Sequence, residues 1–382
     1  MQTNPVTLVY KSVHDVPLRL DVYLPLPNSG LVQSRGTSAI VYFHGGGLTV
    51  GNRRSWFPEW LQKRANAAGH IFLTADYRLI PSGLTNAHDI LEDIKDVFEF
   101  ICSSEFESSL ATQTLRGKEP TQRVRIDPTR IAVAGTSSGG TCAYLATKHA
   151  EPKPKVLLSI YAAGGDFFTP HWISPKTTVF FRGRELLDPN AYSKWIYPLS
   201  QEERSLVVAD SPNTYFPADH PTPGLPSNPR SKLSALYLQL GTYLDYYTGQ
   251  HEPSLGATLR VALQKHDDRD GIANDGRLLA KNTIFANFIP EKHRHLFPQL
   301  LVDSSWPPTL FYHGAQDSAV PLNETKNMCE LIRKAGVSAE MIVVDGKEHS
   351  FDYAPDAEET QKENFDRIIE FLNLHLSVIH SE

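Results

Sequence analysis

Arg130-Ile131-Ala132-Val133-Ala134-Gly135-Thr136-Ser137-Ser138-Gly139, followed by Thr141-Cys142-Ala143-Tyr144-Leu145-Ala146, is the stretch that decides the fold. An apolar run, a Gly/Ser pentapeptide and a helix-like segment succeed one another almost without a spacer. The pentapeptide fits G-x-S-x-G, a strand-to-helix turn that leaves a serine hydroxyl exposed at its tip. The turn is so tight that its flanks take glycine, because a side chain there would collide with strand or helix. Ser137 is therefore the candidate nucleophile. The Ser138 N–H, at the start of the helix, points to where an oxyanion would form. In isolation a Gly/Ser turn without chemistry reads the same way, so two other segments carry the decision.

The first is His44-Gly45-Gly46-Gly47, which ends the apolar run Ala39-Ile40-Val41-Tyr42-Phe43. Consecutive glycines after a buried strand let the backbone approach a ligand closely and present free N–H groups. Gly45 and Gly46 are the expected oxyanion donors, with Ser138 as the third; a flexible glycine turn is the plain alternative. The second is the pair Asp317 and His349. Asp317 follows the strand-like Pro308-Thr309-Leu310-Phe311, and His349 follows Ala339-Glu340-Met341-Ile342-Val343-Val344. Both lie in loops at the C-terminal ends of strands, the edge where open parallel sheets build their sites.

With these residues in order, the chain resembles an α/β-hydrolase of the hormone-sensitive-lipase-like, H-G-G-G, esterase group. The order Ser, Asp, His is the one that fold uses. Asp76-Tyr77-Arg78-Leu79-Ile80-Pro81 resembles the group's D-Y-R-L-A-P segment, and Asp93 resembles its recurrent helix aspartate. The resemblance covers roughly residues 1–162 and 301–382. It departs from the group in having Thr136 where an acid usually precedes the nucleophile, Ser138 where alanine usually follows, and a short strand-like region before His44. The resemblance implies a catalytic triad of Ser137, Asp317 and His349.

Strand-like and helical segments alternate along both covered parts, which predicts a mostly parallel central sheet flanked by helices on both faces. Val6–Val13 and Leu18–Leu24 read as an antiparallel pair. Asp89–Cys102 carries apolar residues at Ile90, Leu91, Ile94, Val97, Phe98 and Ile101, the spacing of an amphipathic helix. A helix is expected over Trp56–Ala68, a polar surface excursion over Ser103–Arg125 and a last helix near Glu358–Leu374. Between them, residues 163–300 break the alternation and read as an inserted cap or lid over the active site. That stretch is rich in proline and aromatics, among them Phe167-Phe168, Trp172, Phe180-Phe181, Trp195-Ile196-Tyr197, Tyr215-Phe216 and Tyr243-Leu244-Asp245-Tyr246-Tyr247. Some are expected to line an apolar pocket and the rest to form the insert's own core.

The 382 residues carry a formal net charge of −6 and no basic cluster, which argues against nucleic-acid binding. No run reaches the roughly 18 apolar residues of a membrane span, and no secretory signal precedes Val6. Cys102, Cys142 and Cys329 read as small packed hydrophobes in a reducing compartment, so the expected location is the cytoplasm. Cys142 on the helix after Ser137 is the one to weigh as a reactive thiol. His266-Asp267-Asp268-Arg269-Asp270-Gly271 lacks the spacing of a calcium loop and reads as a polar turn, and His293-Arg294-His295 lacks the partners of a zinc site. His44 reads as a structural group of the oxyanion loop, and His88 and Asp89 as a helix start. No metal and no organic cofactor is expected.

The expected activity is serine-dependent hydrolysis of a carboxylic ester, thioester or lactone of an apolar or aromatic small-molecule acyl substrate, free or carrier-bound, in secondary metabolism. An acyltransferase or an arylformamidase-like amidase uses the same triad. A non-hydrolytic cyclase or a ligand-binding protein on the same fold is the alternative of a different class.

Overall fold

The computed structural model describes residues 4–25, 36–114, 124–267 and 277–377. Eight strands form one sheet: β1 (Val6–Val13), β2 (Val16–Tyr23), β3 (Thr37–Phe43), β4 (Ile71–Ala75), β5 (Ile126–Thr136), β6 (Val156–Ile160), β7 (Thr309–Gly314) and β8 (Ala339–Val344). Their spatial order is β1-β2-β4-β3-β5-β6-β7-β8. β1 and β2 form the antiparallel edge, and β3 to β8 run parallel. The open, mostly parallel sheet read from the sequence is the sheet that forms.

Side chains alternate across this sheet with the two-residue period of a strand. Val41 and Phe43 of β3 join a core with Ile94, Val97 and Phe98 on one face. Ile40 and Tyr42 join Trp60, Leu61, Phe365 and Ile368 on the other. Helices α2 (Ala87–Ile101) and α4 (Ser138–His149) cover the first face, while α1 (Glu59–Ala67) and the helix Lys362–Leu376 cover the second. The apolar stripe of α2 is the one its sequence shows. Its start is a capping box in which Asn86 accepts the His88 N–H and Asp89 accepts the Asn86 N–H, so both residues serve the helix start.

Three expectations are corrected. The helix expected from Trp56 begins at Glu59, because Trp56 has φ 48° and Pro58 occupies the N-cap. The excursion expected over Ser103–Arg125 contains α3 (Ser104–Thr114), held down by buried Phe106 and Leu110, an i,i+4 pair hidden among polar residues. The last helix is interrupted at Gln361, whose side chain accepts the Tyr312 hydroxyl at 3.0 Å. The polar turn read at His266–Gly271 enters a helix, Leu255–Asp267, and then residues 268–276, which lie outside the described residues.

Between β6 and β7 no described residue joins the sheet; this stretch contributes short helices, including Leu233–Leu240 and Tyr243–Thr248. Most of its aromatics pack on one another. Phe167 meets Trp172, Tyr247 and Phe297 at centroid distances of 5.0, 5.1 and 5.8 Å. Cys142 is buried and its thiol is pushed up by that burial, so it is packed rather than reactive. Cys329 is buried as well, and Cys102 partly so, with its thiol pushed up to about 11 by burial.

Candidate active site

Ser137 sits at φ 54°, ψ −126°, between β5 and α4. A non-glycine residue holds a positive φ only where its surroundings fix it. Here the Ser137 N–H donates to the Ile160 carbonyl, and the Ser137 carbonyl accepts from Gly140 and Ala163. The flanking glycines are required by contact. A Cβ on Gly135 would lie 2.1 Å from the Gly139 oxygen, and one on Gly139 would lie 2.1 Å from the Phe43 oxygen. Strand, turn and helix therefore cross too closely for side chains, and the serine is left facing a cavity.

The H-G-G-G loop follows β3, the strand next to β5 in the sheet. A Cβ on Gly45 would lie 3.1 Å from Ser137 Cβ, which places this backbone directly over the serine. Ser138 opens α4, so its N–H has no intrahelical acceptor. Its hydroxyl turns away and accepts the Leu48 N–H at 3.0 Å, tying the glycine loop to the helix. The loop is fixed from behind as well. Buried Arg230 donates to the carbonyls of Thr49, Ile80 and Pro81 at 2.8, 3.1 and 3.0 Å. Ile80 N donates to the Leu48 carbonyl, and Tyr77 OH to the His44 carbonyl. The Asp76–Pro81 segment thus buttresses the loop, and Arg78 anchors that segment on Asp93 through its backbone and guanidinium. His44 stacks on Tyr77 and is pushed down to about 4 by burial, which keeps it neutral and unfit as a base near neutral pH.

Asp317 and His349 meet. His349 Nδ1 lies 2.6 Å from Asp317 Oδ2. The other carboxylate oxygen accepts the N–H groups of Ala319 and Val320 at 2.9 and 2.8 Å. Burial works against the charge on Asp317, yet the His349 and His313 rings beside it hold its carboxyl well below the usual carboxylate range. A carboxylate on Nδ1 assigns the proton to that nitrogen and leaves Nε2 as the acceptor. Ser137 and His349 line one cavity of about 240 Å³. Among the described residues no hydrogen bond joins them; such contacts are often long before substrate binds.

Gly45, Gly46 and Ser138 line the same cavity, so all six residues singled out in the sequence cluster at the C-terminal edge of the sheet or abut it. The opposite wall comes from the stretch between β6 and β7, with Trp172, Phe181, Tyr215, Leu238 and Tyr243. Tyr161 meets the His349 ring edge to face at 4.6 Å. Sequence reasoning missed His313, Glu348, Arg230 and Tyr161. His313, Glu348 and Tyr161 each adjoin a strand end or loop already marked, Arg230 has no such signal, and none carries a motif.

Residues 40–203 match the family described as alpha/beta hydrolase fold, and residues 290–378 match the prolyl oligopeptidase family. The solved apo form of Thermogutta terrifontis esterase 2 superposes with a TM-score of 0.53 at 15% identity, covering 97% of this chain and 95% of that one. The chain has the α/β-hydrolase fold. The chain is 24% identical over 392 residues to a non-reducing polyketide synthase of Aspergillus calidoustus, covering 97% of the chain. It is 35% identical over 156 residues, 40% of the chain, to a "probable carboxylesterase" of Phoma sp.. The chain spans 14% of the polyketide synthase and 45% of the carboxylesterase. It resembles the hormone-sensitive-lipase-like esterases in the motifs quoted above. Among the described residues no helix is long and apolar enough to cross a membrane.

Proposed function

We propose that the protein is a serine hydrolase that cleaves a carboxylic ester or thioester of an apolar or aromatic acyl group through an acyl-enzyme on Ser137. The observation that carries this reading is the 2.6 Å contact of His349 Nδ1 with Asp317 in a cavity that also holds the strained Ser137.

In this reading His349 Nε2 takes the Ser137 hydroxyl proton as Oγ attacks the acyl carbonyl, and Asp317 stabilises the imidazolium. The tetrahedral oxyanion is held by the N–H groups of Gly45, Gly46 and Ser138. Collapse breaks the bond to the leaving group, which receives the proton from His349. Water, deprotonated by His349, then attacks the acyl-enzyme, releasing the acid and restoring Ser137. Losing one oxyanion donor in such a site costs about 10²–10³ in rate. Residues 163–300 act as a cap that closes the cavity with Trp172, Phe181 and Tyr243 and selects apolar acyl groups.

The likeness to carboxylesterase and polyketide synthase sequences supports ester and thioester substrates alike and a place in secondary metabolism. The test is hydrolysis of p-nitrophenyl esters across acyl chain lengths beside Ser137→Ala. Serine-dependent turnover with a chain-length optimum supports the reading. Equal rates for wild type and variant overturn it.

A further inference from the structure

The cavity that holds Ser137 and His349 is also lined by Arg182 and Arg184, and among the described residues no aspartate, glutamate or lysine lines it. Neither guanidinium has a carboxylate within 4 Å among the described residues. Two like charges side by side without a counter-ion disfavour one another and favour any anion that arrives between them. Burial, and then the Arg182 charge, lowers Arg184 below the ordinary guanidinium range.

The two arginines are placed by a built turn. Phe181 and Arg184 bridge across Arg182 and Gly183, which have φ values of 51° and 64°. Positive φ at both central positions gives a mirror-image reverse turn, for which glycine suits the second position and arginine does not suit the first. The strained residue is held from the site itself. The Arg182 N–H donates to Ser318 Oγ at 2.8 Å, and Ser318 follows Asp317 in the chain. The turn is thereby tied to the loop that carries the triad acid. Around it, Tyr215 and Leu225 are about half exposed, so this rim opens to solvent. An adjoining groove shares Phe181, Arg184 and Leu225 with the cavity and adds Lys232, a third cation. Glu185 also lines that groove without pairing with either arginine.

We propose that Arg182 and Arg184 form an anion subsite at the mouth of the cavity, which selects acyl substrates bearing a carboxylate on the acyl chain or a phosphate on the leaving group. The proposal rests on the hydrolase reading and names the substrate class within it. The cavity is apolar near Ser137 and cationic at its mouth, which matches an amphiphile with its apolar part inward. A carboxylate on the acyl chain and a phosphate on a long leaving group satisfy the same two guanidiniums, which present planar forks suited to either.

The test compares kcat/KM for two matched pairs. One pair is p-nitrophenyl butyrate and mono-p-nitrophenyl glutarate. The other is the butyryl thioester of N-acetylcysteamine and that of phosphopantetheine. Each is measured for wild type, Arg182→Gln/Arg184→Gln and Arg182→Lys/Arg184→Lys. The expected result is a preference of about tenfold or more for the anionic member of at least one pair, the size expected of a charge-assisted hydrogen bond. That ratio falls towards one in the glutamine variant, is partly kept in the lysine variant, and shrinks as salt is raised. Preference in the first pair assigns the carboxylate, and in the second the phosphate. Equal kcat/KM within both pairs, or a preference that survives in the glutamine variant, overturns the subsite while leaving the hydrolase reading intact. Absence of turnover of all four compounds overturns the hydrolase reading and the subsite with it.

Discussion

Glu348 Oε2 accepts the Ser318 hydroxyl at 2.5 Å, joining the residue before His349 to the residue after Asp317. Its other oxygen accepts the N–H groups of Ser318 and His349 at 2.8 and 2.7 Å. One carboxylate therefore clasps the loops after β7 and β8 and fixes the spacing of the two residues that must meet. Glu348→Gln turns one acceptor into a donor facing donors. Misplacement of reacting groups by about 1 Å can cost 10²-fold in rate. We expect kcat to fall about 10- to 100-fold with KM changed little, measured by steady-state kinetics on a p-nitrophenyl ester. An unchanged kcat would show that the clasp does not position the pair.

His313 supports the same acid from inside the sheet. Its Nε2 lies 3.2 Å from Asp317 Oδ2 and 2.9 Å from the Val320 carbonyl, while Nδ1 lies 2.7 Å from Thr325 Oγ1. The contacts assign the proton to Nε2 and make His313 a second donor to the carboxylate. Removing it by His313→Asn reduces the depression of the Asp317 pKa. A depressed carboxyl contributes stability that is present above its unfolded value of about 4 and lost as pH falls through the folded value. The stability gap between wild type and variant should therefore be widest near neutral pH and narrow below about pH 4. Denaturant melts at a series of pH values would read it; a gap independent of pH would contradict this role.

Glu324 behaves in the opposite sense. It is fully buried, accepts the Asp166 N–H at 2.7 Å and Trp172 Nε1–H at 2.5 Å, and is pushed up to about 8 by burial and by the Asp166 charge. A raised carboxyl keeps its proton in the folded chain after the unfolded chain has lost it. Its contribution to stability therefore declines as pH rises from about 4.5 to about 8. Glu324→Gln should flatten the fall in Tm between pH 5 and pH 8. Parallel Tm profiles would contradict the assignment.

Gly139→Ala tests the elbow. The added Cβ would meet the backbone oxygens of Phe43 and His44 at 2.1 and 2.4 Å, where no side chain can yield. Overpacking of this kind costs about 1–3 kcal/mol or more. A lowered denaturation midpoint and a loss of esterase turnover are expected together; a variant as stable as wild type would mean the crossing is looser than described.

The sheet was legible because β3 to β7 are apolar runs separated by glycine-rich loops or amphipathic helices, as Ile90, Ile94 and Val97 show for α2. The clustering of Ser137, Asp317 and His349 was legible because each follows a strand at the same edge. What stayed hidden depends on contacts across long stretches of chain. Arg230 is 181 residues from Thr49, and nothing in its own neighbourhood marks it as the clamp of the glycine loop. Phe106 and Leu110 were masked by the polar residues between them. In the stretch between β6 and β7, aromatic density marked a core and a pocket together. Only packing separates Phe167 and Tyr247, which are interior, from Trp172 and Tyr243, which also reach the cavity.

The central claim is that Ser137 is an activated nucleophile, and covalent labelling with a fluorophosphonate followed by peptide mapping tests it most directly. The account predicts a single adduct on Ser137, lost in Ser137→Ala and strongly slowed in His349→Ala. No adduct, or an adduct on another serine with Ser137 unmodified, would contradict it.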